Sequence, residues 1–536
     1  MRAESYPLPA AALEASFLPS SSDMSDDTLR PMELDELVSM LQEATSIEYW
    51  EQEDVELRPE DSGFLTAYCS KEQHTTIRAT LTKLRQYVFE PIAFEVHELT
   101  ASALDGRRTV LTEKEADARI AAAGAHPVYR GRTTINRQLL LESTHLKNHV
   151  RSIRTKASNG ATAPDPIVAT AACGKSLVVR ATRTSGKALV VTLAGSGQSL
   201  DPVSDPREIR TTKDAKSAIL PLSTARHVTF HGGARLQPGQ SMLIGSSAPN
   251  GCTMLVRVRR LAPAADTQLG LLKVFPVRHL VHGADPGPNP RLPFEDARLF
   301  PETEETRMPP LCDQDRLAEI LMTNVNPDSW DDAPNNLSFG LGDIIADADG
   351  ETIQQLTKLL GELDAVESRQ FSLEVRFGAI AYDPANAADA ESTAKLAESL
   401  PTMCLATIAT SRSVQLSATR HRQVVRDYDC VLAQGVSGMT PSVGPVTDGL
   451  LLRASIASMH QRYVQLDLNM TVMIDSNGLE TLGLQHPAIG PIDRIAVREH
   501  KVRGSCPVEL ENWAILSSSP TADGKQMVIA ARVHPL

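Results

Sequence analysis

The chain has 536 residues, 53 Lys and Arg against 66 Asp and Glu, a formal charge of −13 and a sequence pI near 5.6. A phosphate backbone would meet net repulsion, so nucleic acid is not an expected partner. Seven cysteines, odd in number and without a Cys-x-x-Cys pair, exclude a disulfide framework and a zinc-ligand spacing. The length asks for about three or four packed units.

Residues 1–30 are rich in Ser, Pro, Asp and Ala without a period and read as a disordered arm. They hold no continuous apolar core of a secretory signal, and no stretch approaches the roughly 18 apolar residues of a membrane-spanning helix, so the chain reads as soluble. From residue 31, Leu34, Leu37, Val38 and Leu41 keep helical spacing, and Trp50 follows. Two short strands are predicted at Val55 to Leu57 and Phe64 to Tyr68, then a second helix with Ile77, Leu81 and Leu84. Residues 31–90 are thus a small α/β module. A β-rich tract, 91–281, begins with the alternating "FEVHEL" of 94–99.

Residues 282–310 carry seven prolines among acidic side chains and read as an extended linker, so each flanking half is expected to fold by itself. The same order then recurs. Leu317, Ile320 and Leu321 mark a helix, Trp330 follows in "NPDSWDD", strands are predicted at Leu337 to Phe339 and Asp343 to Ala346, and Ile353, Leu356, Leu359, Leu360 and Leu363 mark a closing helix. This second module spans 311–368, and its β-rich tract, 369–536, opens with "LEVRFG" at 373–378.

The halves match without a gap over one long run. Val150-Arg151 pairs with Val425-Arg426, Gly160 with Gly435, Pro166 with Pro441, Gly174 with Gly449 and Leu177 with Leu452. "LVVTL" (189–193) falls on "VQLDL" (464–468) with strand parity in phase, and 241–261 matches 514–536. The expected fold class is α+β: two copies of a small KH-like α/β module, each followed by a β-rich tract. The two tryptophans occupy equivalent places, where an indole packs the first helix on the small sheet.

Chemistry is sought and not found. "CGKS" (173–176) lacks the first glycine of a phosphate loop, with Ala169 in its place, and a strand follows. His145 and His149, or His227 and His231, would converge on a metal only from a helix, and neither pair has the adjoining glutamate of a zinc helix. Cys430 sits among carboxylates that disfavour its thiolate. The basic run "HLKNHVRSIRTK" (145–156) has no interleaved aromatics and reads as a solvated face. No catalytic, cofactor-binding or metal-ligating residue is assigned, no cofactor is expected, and the chain is read as a non-enzyme.

A helix, "NPDSWDD", the strand "DIIADAD" and the helix "ETIQQLTKLLGELD" together resemble the small amino-terminal module of secretins, in particular divergent planctomycete-like forms. Secretins are the ring-forming outer-membrane channels of type II and type III secretion and of pilus systems. The tract 424–473, with its Pro-Val hinge, "DG" turn and paired long strands, and "LQPGQSMLIGS" (236–246) resemble the secretin homology region. The resemblance implies a non-enzymatic subunit of a secretion-system or cell-envelope ring, located in the periplasm or outer membrane. Its partners would be copies of itself and other envelope or secretion proteins. The alternative is a soluble structural or adaptor protein that uses the same modules without a pore, and no visible signal peptide leaves a cytoplasmic location open. Aromatic content of 4% leaves little for the interfacial girdles of a membrane barrel, so a soluble assembly without membrane insertion is expected.

Overall fold

The structure is a computed structural model. It describes residues 2–7, 34–281 and 313–536, interrupted at 61–63, 89, 100–107, 159–160, 202–204, 210–217, 247–250, 264–266, 270, 331–334, 341–342, 368, 382–389, 410–412, 434–435, 461, 476–479, 483–491, 495 and 522–524. The predicted linker, 282–310, lies outside these residues.

Against the α+β expectation, the fold is predominantly β, because the two tracts that follow the modules form long antiparallel strands. The first tract forms Pro91–Leu99, Pro127–Thr134, Gln138–Ser158, Ala161–Arg183, Leu189–Leu200, Thr224–Leu236, Ser241–Ser246 and Thr253–Arg260. The second forms Gln370–Ile380, Thr402–Ala409, Ser413–Ala433, Val436–His460, Tyr463–Asp475, Val497–Glu509, Trp513–Pro520 and Gln526–Pro535.

These strands do not make two separate domains. One eight-stranded sheet runs, by starting residue, 497, 463, 436, 413, 224, 189, 161, 138. A nine-stranded sheet runs 513, 526, 370, 402, 241, 253, 91, 127, with the short strand Val110–Leu111 beside Ser241–Ser246. Both sheets therefore cross from one half of the chain to the other, and the expectation of independently folding halves is corrected. The physical cause is a shared core. Alternate side chains from both sheets meet in one cluster that includes Phe94, Val256, Leu193 and Phe230 of the first half and Leu373, Ala531, Leu416 and Leu466 of the second. Separating the halves would expose that layer to water.

The outer face of the nine-stranded sheet is covered by two helices that the sequence reading placed inside β-rich tracts. Glu113–Ala123 packs over Leu99, Leu243, Leu255 and Leu405. Ala390–Glu398 packs over Trp513, Val528 and Ala530. On the outer face of the eight-stranded sheet the strand Tyr463–Asp475 is polar, with Gln465, Asp467, Asn469 and Thr471 alternating against buried Leu466, Leu468, Met470 and Val472.

Around the two tryptophans the helices and strands fall near their predicted positions. In the first, helix Leu34–Ala44 and the short helix Ile47–Trp50 precede strands Glu56–Glu60 and Phe64–Cys69 and helix Lys71–Val88. In the second, helix Gln314–Asn324 and the 3-10 turn Pro327–Ser329 precede strands Asn336–Gly340 and Asp343–Asp347 and helix Gly350–Glu367. Each indole donates back to the end of the first helix, Trp50 Nε1 to Thr45 Oγ1 at 2.8 Å and Trp330 Nε1 to Val325 O at 2.6 Å. Both rings are half-buried against their module cores.

Two boundaries differ from the sequence reading. Arg2–Pro7, inside the arm expected to be disordered, form a strand paired with Phe64–Cys69; the rest of that arm lies outside the described residues. Leu272–Phe275, assigned to the first tract, pair with Asp343–Asp347, so the small sheet of the second module is completed from upstream of the linker. Leu269, Leu272, Val274 and Ile345 also pack into the core of the first module, which joins the two modules to each other.

Candidate assembly interface

The residues weighed as chemical candidates are placed by the sheets. Residues 173–176 lie within the strand Ala161–Arg183, with no loop or helix N-terminus to hold a phosphate. His145 and His149 lie on Gln138–Ser158, where four residues of strand span about 13 Å and cannot converge on one ion. His227 and His231 lie on Thr224–Leu236 and are separated in the same way. Cys430 is an exposed free thiol on Ser413–Ala433. Among the described residues no three His, Cys, Asp or Glu side chains cluster as a metal site. Also among them, no helix is long and apolar enough to cross a membrane, which says nothing of strands.

The polar groups that do converge are structural junctions. Arg183 stacks over the Tyr87 ring, 3.8 Å from its centroid, and donates to Tyr87 O and Glu90 Oε2, both at 2.8 Å. Arg260 pairs with the other oxygen of buried Glu90. The Tyr87 hydroxyl donates to Asp343 at 2.8 Å, and Asp343 accepts the Val277 N–H at 3.0 Å. One chain of contacts thus links both modules to the large sheets. Burial, reinforced by Asp343, pushes the Tyr87 phenol well above its ordinary range.

A second junction centres on Asp364, on the closing helix of the second module. It accepts from Arg235 at 2.7 and 2.9 Å, from Ser185 at 2.6 Å, and meets His279 Nε2 at 2.8 Å. Burial pushes this carboxyl up, but the hydrogen bonds from His279, Arg235 and Ser185 outweigh it and hold the group well below the usual carboxylate range. Nothing in the sequence singles out Asp364, because its partners lie 85 to 179 positions away.

The joint between the halves is the largest feature that no motif announced. In the eight-stranded sheet Thr224 to His231 pair with Arg422 to Gln415. Phe230 stands opposite Leu416, both buried, facing the core. Thr229 stands opposite Ser417 on the other face, and their hydroxyls share a hydrogen bond of 2.6 Å. Burial, with His421 nearby, pushes the His227 imidazole down to about 4. His421 is lowered by burial too, against a raising influence from Asp448, and is held between Thr419 Oγ1 at 3.2 Å and Thr447 Oγ1 at 2.9 Å. In the other sheet Gly245 and Ser246 pair with Leu405 and Cys404, and Ser246 Oγ donates to Met403 O at 2.7 Å.

The hairpins on either side of this joint share unusual backbone geometry. Gly174 has φ +140° and Gly449 φ +134°. A Cβ on Gly174 would stand 2.1 Å from Ser143 O, and on Gly449 2.1 Å from Ala418 O, so each hairpin partner closes onto bare backbone. Each long hairpin also carries a β-bulge, between Val150 and Ser152 and between Val425 and Asp427. At and beyond the bulges the two hairpins pack together through Val425 and Ile153, and Thr155 Oγ1 donates to Met439 O at 2.6 Å.

Among the described residues, both large sheets end in strands with one unpaired side. At one end these are Gln138–Ser158 and Pro127–Thr134, at the other Val497–Glu509 and Trp513–Pro520. The first end exposes Val128, Leu140 and, at 72%, Leu146. An edge of this kind is a template for another strand.

No family model and no curated relative matches the chain. Among solved structures it is similar to the secretin-domain β-barrel of InvG from the Salmonella SPI-1 injectisome, with 8% identity over 41% of this chain and 79% of that one, at a TM-score of 0.20. It is also similar to the secretin GspD of ETEC in complex with its pilotin AspS, with 9% identity over 94% of this chain and 86% of that one, at a TM-score of 0.20. For the type IV competence pilus secretin PilQ of V. cholerae the values are 10% identity, 41% and 74% coverage, and a TM-score of 0.16. Scores of this size leave the functional argument to the strand pairing itself.

Proposed function

We propose that the chain is a non-enzymatic wall subunit, a secretin-like component of a secretion-system or cell-envelope ring, built as a tandem duplication that assembles edge to edge. The observation that carries the reading is the head-to-tail joint. The strand Thr224–Leu236, innermost of the first half, pairs with Ser413–Ala433, innermost of the second, whereas their counterparts, Val497–Glu509 and Gln138–Ser158, lie at the two outer edges. The second sheet repeats the pattern with Ser241–Ser246 and Thr402–Ala409 inside and Trp513–Pro520 and Pro127–Thr134 outside. Equivalent surfaces therefore meet heterologously and leave the same pair of surfaces open at the ends. Such contacts close into rings when the rotation per unit permits and otherwise run on as filaments.

Two further features support the reading. The matched glycines and the bulges, each 275 residues apart, place the same hairpin geometry in both halves. On one face of the wall the strand Tyr463–Asp475 presents polar side chains and the other face is covered by helices, which supports a wall that stands in water.

The test is the size and shape of the full chain without detergent, by mass photometry and negative-stain electron microscopy from nanomolar to tens of micromolar protein. Rings or curved ribbons that grow with concentration are expected. A monomer throughout refutes the reading, and discrete particles bounded by a two-fold contact would favour the adaptor function instead.

A further inference from the structure

The two outer edges of the eight-stranded sheet carry an opposite-charge pair where the internal joint has two hydroxyls, and we infer that they form the joint between chains in one register, Lys501 opposite Glu142, the occupant being a second copy of this chain. The inference rests on the assembly reading above and deepens it to named residues.

The register follows from the internal joint. Gly174 closes on Ser143 as Gly449 closes on Ala418, so Glu142 stands where Ser417 stands. Leu236 pairs with Leu189 as Val508 pairs with Val464, so Lys501 stands where Thr229 stands. Inside the chain Thr229 faces Ser417 and Phe230 faces Leu416. Carried to the outer edges, the same register sets Lys501 against Glu142, Val502 against Leu141 and Val497 against Leu146.

Each pairing is chemically complementary. Val502 and Leu141 continue the core layer begun by Phe230 and Leu416. Leu146, 72% exposed, gains an apolar neighbour in Val497. Lys501 is exposed and held at 2.9 Å by Glu499 of its own strand, while Glu142 accepts from Thr144 on its own strand, at 3.1 Å. Both are thus free to exchange a local contact for a cross-strand ion pair.

The same charges reject the wrong partner. The outer strand Val497–Glu509 carries Arg498, Lys501 and Arg503 against Glu499 in its first half, so two such edges brought together would meet with an excess of cations. The edge Gln138–Ser158 offers Glu142 within the overlap, its cations Lys147, Arg151, Arg154 and Lys156 falling beyond Val497 in this register. Charge therefore gives the joint its direction, and a buried hydroxyl pair inside the chain becomes a salt-dependent pair between chains.

The test uses the full chain with Lys501→Glu, Glu142→Lys and the two combined, with assembly followed by mass photometry. Each single reversal is expected to raise the concentration needed for assembly about tenfold, and the double reversal to restore it to within about threefold. In a Cys430→Ser background, Lys501→Cys with Glu142→Cys should oxidise to an interchain disulfide, and Lys501→Cys with Leu146→Cys should not. Wild-type assembly that is indifferent to the reversals, or cross-links equally off register, overturns the register and leaves the assembly reading standing. A wild-type chain that never assembles overturns both.

Discussion

Replacing Gly449 by alanine probes the backbone contact on which the joint depends. At φ +134° the residue occupies a region that side chains rarely adopt, which costs about 1–3 kcal/mol by itself. The added Cβ would also lie 2.1 Å from Ala418 O and 2.8 Å from Thr419 Cα. These are backbone atoms that cannot rotate away, so the hairpin must open by about 1 Å beside the strand that joins the halves, at a further cost of about 1–3 kcal/mol. The sum is about 2–6 kcal/mol, or a fall of roughly 1–2 M in urea midpoint for an unfolding slope of a few kcal/mol per molar. Far-UV circular dichroism in urea reads it directly. Gly504→Ala on the outermost strand, where nothing lies within 4 Å of an added Cβ, is the control and should leave the midpoint within about 0.3 M. Gly174→Ala should match Gly449→Ala, because its geometry is the same. An unchanged midpoint for Gly449→Ala, or an equal fall for Gly504→Ala, refutes the reasoning.

Asp364→Asn should destabilise the chain by about 3–5 kcal/mol in the same assay, since it strands the Arg235 cation in a mostly buried site, and Asp364→Leu combined with Arg235→Met should recover much of the loss. The His227 imidazole takes up its proton near 6.5 when unfolded and only at about 4 when folded, so stability should fall as pH drops from about 6.5 and level off below about 4. After allowance for its partial exposure the loss is on the order of 2 kcal/mol, and urea midpoints for His227→Gln should be correspondingly flatter between pH 7 and 4. Fragments 31–281 and 311–536 made separately should each show exposed apolar surface by dye binding and regain native-like chromatographic behaviour only when mixed, because the sheets and their core cross between them; two monomeric, dye-silent fragments would argue otherwise.

Local structure was the legible part. The helix spacing of Leu34 to Leu41 and of Leu317 to Leu321, and the strands before Lys71 and Gly350, are where hydrophobic period and turn residues agree. The helix Glu113–Ala123 carries end signals that its place inside a β-rich tract masks. Its Thr112 and Glu115 form a capping box, with Thr112 N–H donating to the carboxylate at 2.8 Å, and Gly124 ends it at φ +57°. What was not legible is pairing at a distance. Alternation in "LVVTL" fixes which residues face the core, but an edge strand and a central strand alternate alike, so no pattern in Thr224–Leu236 names Ser413–Ala433 as its neighbour. The proline-rich segment argued for separation because composition reports on a linker's own stiffness and not on what its flanks bury. The Asp364 junction was hidden for the same reason, its three partners, Ser185, Arg235 and His279, being assembled only by the folded sheets.

The head-to-tail joint lies within a single polypeptide, and that makes the proposed wall unlike one built from single repeats. Tethered halves meet at an effective concentration in the millimolar range, so half of all joints form when each chain folds, independent of how many chains are present. Growth then proceeds two units at a time. A closed ring made this way has an even number of repeats whatever its diameter, and a defect in one half removes its healthy neighbour as well, so both halves are selected together for the fit of surfaces that only one of them presents to another molecule.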